Sequence, residues 1–283
     1  MSRWLSTGDV IDGTYKLGEQ LLIDDGLSMY YAGENETTGD AITLQLPNYK
    51  KGTDSLVDKY IGRSLNARKR IEQHGGHPNI VSLVDIVEGF KASGMVLGGV
   101  PNTFLEEFVS TDDPLSTDEA RDLGLQLCDA LGFLHEDLGM ILRDFSPRSI
   151  PYEDGNLTLL DFTTAKSVEA EQPKSPGEVE EQSHTEFSDI GGRGKYKPGE
   201  IVGYIEVPQG PWSDVYTVGK ILLWATTGNI FETAGLIPSE LGGDVDAYLD
   251  DIIRKATAED PTQRYLNAAE MKQALEAKDA DVA

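Results

Sequence analysis

Leu142-Arg143-Asp144-Phe145-Ser146-Pro147-Arg148-Ser149-Ile150 is followed, after a short acidic turn, by Leu157-Thr158-Leu159-Leu160-Asp161-Phe162-Thr163. Each string sets one carboxylate, Asp144 or Asp161, against apolar neighbours. An aspartate in a loop is commonly only a turn former or a cap, so its meaning depends on the text around it. Upstream stands His77-Pro78-Asn79-Ile80-Val81. Downstream come Tyr196-Lys197-Pro198-Gly199-Glu200, then Ser213-Asp214-Val215-Tyr216-Thr217-Val218-Gly219 opening an apolar helix that ends at Thr227-Gly228, then Asp260-Pro261-Thr262-Gln263-Arg264-Tyr265.

In order and spacing these motifs resemble the eukaryotic-type Ser/Thr protein kinase domain, over about residues 11–277. The resemblance implies an α+β, bilobal protein-kinase-like fold. An antiparallel β N-lobe with one helix would span 11–98 and a mainly helical C-lobe 99–277, flanked by an N-terminal extension, 1–10, and a C-terminal tail, 278–283. ATP would be held near the Gly98 to Thr103 hinge. Asp144 falls at the position of the catalytic base and Asp161 at that of the magnesium ligand. Asp214 matches the residue that anchors the catalytic loop, Arg143 precedes the base, and Glu200 and Arg264 match a buried ion pair.

The local patterns agree with two lobes. Tyr15–Leu22, Leu27–Gly33 and Ala41–Leu46 are short aliphatic and aromatic runs separated by Asp24-Asp25-Gly26 and Thr38-Gly39-Asp40, which reads as an antiparallel meander. Between Asp54 and Gln73, Leu56, Tyr60, Leu65 and Ile71 recur near helical spacing. Ser116 and Glu119 form a capping box before Leu123, Leu127, Ala130, Leu131 and Leu134, one apolar helix face. Asn267 with Glu270 opens the last helix in the same way.

Departures from the family concentrate where phosphate would bind. Gln45, in Ile42-Thr43-Leu44-Gln45, stands at the position of the phosphate-binding lysine, and an amide carries no charge. The glutamate that should pair with that lysine is missing: the best-aligned helix positions are Asn66, Ala67 and Arg68. Of the glycine loop only Gly18 and Gly26 remain, with Asp24 and Asp25 at its tip, where like charge opposes a polyanion. Ser149 replaces the asparagine that holds a second magnesium and Ser146 replaces a lysine, while Leu142 and Thr163 replace a histidine and a glycine.

Retained scaffold beside lost phosphate groups implies a pseudokinase, a regulatory or scaffold module whose partner is another protein, such as an active kinase or its substrate. ATP and Mg2+ would bind weakly. The alternative is an active Ser/Thr protein kinase that transfers the ATP γ-phosphate using an unconventional cation, for which Lys50 and Lys51 lie close in sequence. A third reading is a nucleotide sensor that binds ATP without transfer.

The 283 residues carry 49 Asp and Glu against 24 Lys and Arg, a net charge of −25 that repels phosphodiesters and anionic lipid. Neither nucleic acid nor membrane is expected as a partner. One cysteine, Cys128, excludes an intramolecular disulfide, and no apolar leader or spanning run is visible, so a cytoplasmic location is expected. Residues 167–190 are rich in Glu, Ser, Gln, Pro and Gly and read as an acidic mobile activation-loop insertion, in which Ser175, Ser183, Thr185 and Ser188 are candidate phosphate acceptors so crowded by acid that no phosphorylation switch is expected.

Overall fold

The computed structural model describes residues 6–24, 26–50, 52–88, 94–168, 194–203 and 208–282. It divides into two compact units, one running to Thr103 and taking in Thr158–Thr164, the other comprising Phe104–Leu157 and the chain from Ala165 onward. The first is a sheet with one helix and the second is mainly helical, the two-lobed α+β architecture expected. The boundary differs from a single break at residue 98, because 158–164 leaves the middle of the helical lobe to join the sheet unit. Leu159 N–H donates to Asn79 C=O at 2.7 Å and Val81 N–H to Leu159 C=O at 3.2 Å, a parallel bridge no local pattern announces.

In the sheet unit, β1 (Val10–Ile11), β2 (Tyr15–Asp24), β3 (Ser28–Asn35), β4 (Ala41–Pro47), β5 (Leu83–Val87) and β6 (Gly94–Gly98) form one sheet in the order β1-β2-β3-β4-β6-β5, every pair antiparallel. Residues 6–10 are therefore attached rather than a free extension: Gly8 N–H donates to Leu17 C=O at 2.8 Å. Period-two alternation on β4 sends Ile42, Leu44 and Leu46 into an apolar cluster with Leu17, Val87 and Val96. Thr43 and Gln45 take the opposite face and are buried as well.

The helix α1 (Asp54–Gln73) starts at Thr53, whose hydroxyl accepts from Leu56 N–H at 3.3 Å. Its buried face is Val57, Tyr60, Ile61, Ser64, Ala67, Arg68 and Ile71. Leu56 and Leu65 are only half-buried. The apolar spacing thus misjudged the helix's rotation, because Ser64 and Arg68 turn inward to polar partners described below.

In the helical unit, α2 (Thr117–Gly132) runs into a wide π-helical turn through Asp137. Short pairs follow, β7 (Met140–Ile141) with β10 (Lys166–Ser167) and β8 (Tyr152–Glu153) with β9 (Asn156–Leu157). After α3 (Gly199–Val202) comes α4 (Pro211–Thr227), buried on all sides except at Pro211, against which α2, α5 (Ala247–Ala256) and α6 (Ala268–Ala277) pack. A Cβ at Gly219 would lie 2.7 Å from Thr257 Cγ2 and 2.8 Å from Ala256 Cβ, so only glycine lets α4 and the end of α5 approach this closely. At α2 the capping box closes on itself, Glu119 accepting from Ser116 N–H at 2.9 Å. At α6 the box is offset: Asn267 accepts from Glu270 N–H at 3.0 Å, but Glu270 accepts from Leu266 N–H at 2.7 Å.

Trp212, Trp224 and Cys128 are buried packing residues, and burial pushes the Cys128 thiol pKa up, which keeps it protonated and inert. Trp4 and residues 169–193, which hold most of the expected acidic loop and its Ser175, Ser183, Thr185 and Ser188, lie outside the described residues. The last residues are held: Tyr265 hydroxyl and Lys255 Nζ donate to Ala280 C=O at 3.2 and 2.9 Å. Among the described residues no helix is long and apolar enough to cross a membrane.

Glu200 and Arg264 make a fully buried pair at 2.6 Å, closed by a second contact at 3.4 Å. Ser213 hydroxyl donates to the same carboxylate at 3.0 Å, and Arg264 spends its remaining donors on the Ala258, Glu259 and Trp212 carbonyls while lying 4.7 Å from the Tyr216 ring centre. Breaking such a pair from one side leaves an uncompensated buried charge. Arg264→Ala is expected to lower stability by about 3–5 kcal/mol, read as a reduced urea midpoint at unchanged slope.

Candidate active site

Within the sheet unit, the residues predicted to hold phosphate form a neutral chain. Gln45 on β4 lies opposite Tyr30 on β3. Its Nε2 donates to Ser28 Oγ at 3.3 Å and its Oε1 accepts from Ser64 Oγ at 3.1 Å, with all three side chains fully buried. The α1 residue facing Gln45 is therefore Ser64, not Asn66, Ala67 or Arg68. Counting along a sequence without a fixed helix rotation cannot resolve one turn from the next. No charge enters this contact from either side.

Among the described residues of the unit the buried cation is Arg68, one turn further on, at 1% exposure. Its Nη1 donates to Val81 C=O at 3.3 Å and its Nη2 to Leu160 C=O, and the guanidinium stands 5.1 Å from the Phe162 ring centre. Burial pulls its pKa down, while Tyr30 and Asp161 beside it push it back up. Lys50 is exposed, and Lys51 lies outside the described residues.

Asp161 is buried in this same unit. Its Oδ1 accepts from Tyr30 hydroxyl at 3.1 Å, Thr163 hydroxyl at 2.6 Å and Thr163 N–H at 3.0 Å. The hydroxyl of Thr163 is a donor that a glycine at that position would not bring. Tyr30 itself is at 0% exposure, its ring filling the face of the sheet that Gln45 shares. A single Tyr in Ser28-Met29-Tyr30-Tyr31 reads only as strand, so nothing in the sequence singled it out.

Gly18 and Gly26 sit at the two ends of an irregular stretch of the β2–β3 pair, whose register shifts twice between Leu17 and Ile23. A Cβ on Gly18 would lie 2.5 Å from Ala32 C=O, so this glycine serves the close approach of two strands. Asp24 carboxylate turns back onto its own loop, accepting from Gly26 N–H at 3.0 Å and Asn48 Nδ2 at 3.2 Å. Asp25 lies outside the described residues. Leu21 is exposed, so it is not folded inward, and Leu22 is half-buried.

The helical unit carries the other half. Asp214, at the start of α4, accepts from Leu142 N–H and Arg143 N–H, each at 2.7 Å. His135 Nδ1 accepts from Ala268 N–H at 3.3 Å, which leaves Nε2 to donate to Asp214 at 3.0 Å. These bonds hold a γ-turn, closed by Asp144 N–H donating to Leu142 C=O at 3.0 Å, in which Arg143 has φ +73°. A non-glycine residue held there costs about 1–3 kcal/mol, offset by the two charge-assisted bonds from Asp214. Arg143 Nη1 donates to Gln209 Oε1 at 3.3 Å.

Asp144 faces an ammonium of its own chain. Lys197 Nζ lies 2.9 Å from Asp144 Oδ2, both side chains only 6% exposed. Ser146, where the family carries a lysine, is buried and its hydroxyl has no hydrogen-bond partner among the described residues. Ser149 hydroxyl is spent within the same turn, donating to Ser146 C=O at 3.1 Å and accepting from Ser146 N–H at 3.3 Å. Arg148 is surface-exposed against Glu106 at 3.1 Å. Lys197 was legible only as part of a motif, since nothing local says which carboxylate a lysine 53 positions downstream will meet.

The family model for the protein kinase domain matches residues 49–274, and the chain belongs to that family. The match begins at residue 49, so the strands that carry Gly18, Tyr30 and Gln45, and the turn that holds Gly26, fall outside it. A probable serine/threonine-protein kinase PknB from Lactococcus lactis is 27% identical over 267 residues, covering 87% of this chain and 39% of the relative. Serine/threonine-protein kinase PrkC from Bacillus subtilis is 24% identical over 290 residues, covering 97% and 42%. Mouse sperm motility kinase Z is 29% identical over 171 residues, 60% of this chain. The chain thus spans about two fifths of the length of the two bacterial relatives. Kinase domains of this family generally use ATP and Mg2+.

The Asp144–Lys197 pair generates a prediction about this unit alone. Lys197→Met leaves a buried carboxylate uncompensated and should cost about 3–5 kcal/mol. Adding Asp144→Asn should return most of the loss, because neither charge then remains. Chemical denaturation of the two single variants and the double closes the cycle, and additive losses would show that the pair is not coupled.

Proposed function

We propose that this protein kinase domain is a pseudokinase, a regulatory or scaffold module that works by binding another protein and transfers phosphate very slowly or not at all. The observation that carries this is the Gln45–Ser64 contact: the family's charged pair is replaced on both sides by neutral hydrogen-bonding groups that satisfy each other. Phosphoryl transfer is catalysed almost entirely by positioning and by charge set against the phosphates. A cation lost together with its tether removes both. Tyr30 adds bulk to the same face, and Lys197 engages Asp144, so neither aspartate is a bare carboxylate.

ATP, if it binds, does so weakly, and the partner is a protein, an active kinase or its substrate. The net charge of −25 suits a basic contact surface on that partner and opposes nucleic acid. The retention of Asp144 and Asp161 favours a second reading, an active Ser/Thr kinase using another cation.

Thermal denaturation with Mg-ATP separates them. A nucleotide binding only the folded chain at 100 times its dissociation constant would stabilise it by about 2.7 kcal/mol; no such rise is expected here. Gln45→Lys with Ser64→Glu rebuilds the pair on the residues that touch, and with Tyr30→Val to open the face it should raise ATP affinity above that of the parent. Radiolabelled phosphate transfer by the parent chain that vanishes in Asp144→Ala would establish the second reading instead.

A further inference from the structure

The magnesium that the kinase fold implies at Asp161 has to meet the groups already there. A divalent cation bound to a carboxylate needs its oxygen lone pairs and a shell of further oxygens. Asp161 Oδ1 is taken by three donors, Tyr30 hydroxyl, Thr163 hydroxyl and Thr163 N–H, at 2.6 to 3.1 Å. Tyr30 has one proton and gives it to Asp161, and Arg68 lies beside both groups, whose charge and polarity favour its protonated form. Arg68 is fixed in turn by the carbonyls of Val81 and Leu160 and by the Phe162 ring. The result is a buried cluster of guanidinium, phenol and carboxylate, in which the phenol donates to the carboxylate. Among the described residues no group of three His, Cys, Asp or Glu side chains comes together to hold a metal. A second positive charge beside Arg68 would be repelled at low dielectric, and could use Oδ1 only by displacing its hydroxyl donors.

The residues at Asp161 therefore do not fit a divalent metal. We propose that Arg68, held on the residues that flank Asp161, is the resident cation of Asp161 beside the Tyr30 hydroxyl, and that the site is built to stand without magnesium. Asp161 is on this account a structural anion that pins residues 158–164 to β3 and α1. The inference rests on reading this site as unfit for phosphotransfer, but metal binding is measured apart from transfer, so either can fail alone.

Mn2+ titration of the full chain, followed by electron paramagnetic resonance of the free ion, reads the site directly. The chain's acidity will give weak surface binding, so the deciding quantity is the difference between the parent and Asp161→Asn. No difference is expected. Tyr30→Phe, which removes only the hydroxyl, and Tyr30→Phe with Arg68→Gln should progressively expose a site that Asp161→Asn abolishes again. Melting temperature of the parent should be the same in EDTA and in excess Mg2+. A parent site lost in Asp161→Asn, or a Mg2+-dependent rise in melting temperature lost in that variant, would overturn the proposal. So would folded Tyr30→Phe and double variants that gain no site, since Arg68 and Tyr30 would then not be what excludes the metal. Should the double variant fail to fold, the parent and Tyr30→Phe still decide.

Discussion

A buried charge must be matched where it lies, and among the described residues the chain answers that constraint at four carboxylates. Glu200 meets Arg264, Asp214 meets two backbone N–H groups and His135, Asp144 meets Lys197, and Asp161 meets Tyr30, Thr163 and the field of Arg68. Every one of these matches is supplied within the chain. Asp144 and Asp161 each hold a partner from the chain itself before any ligand arrives.

That difference sorts the family's parts into two sets. The Asp214 clasp on Leu142 and Arg143 and the Glu200–Arg264 pair hold backbone and helices, and both stand with short, well-aligned bonds. The parts that would handle phosphate are altered in concert: Gln45 with Ser64, Ser146 and Ser149 in the catalytic turn, and Asp24 folded back on its own loop. Independent loss of single residues would leave orphaned partners. Gln45 instead has its complement in Ser64, and the retained Asp144 is met by Lys197, while the Ser146 hydroxyl has no such partner among the described residues.

The sequence by itself determined the class of fold, because motifs whose spacing is set by backbone geometry survive substitution elsewhere: the His77–Val81 turn, Asp144, Asp161, Glu200, Asp214 and Arg264 stand in one order along the chain. It also showed that Gln45 carries no charge, a property of the residue type alone. The strands and α1 followed from alternation and capping, which are local. Only the tertiary structure decided which residues meet. Ser64 rather than Ala67 faces Gln45 because the rotation of α1 is set by what Arg68 must reach, and a one-turn difference is invisible to apolar spacing when the inward residues are polar. Tyr30 and Lys197 acquired their roles through contacts 131 and 53 residues away along the chain. A hydrogen bond depends on distance and direction in space, and over such separations the chain's path, not its local pattern, supplies both.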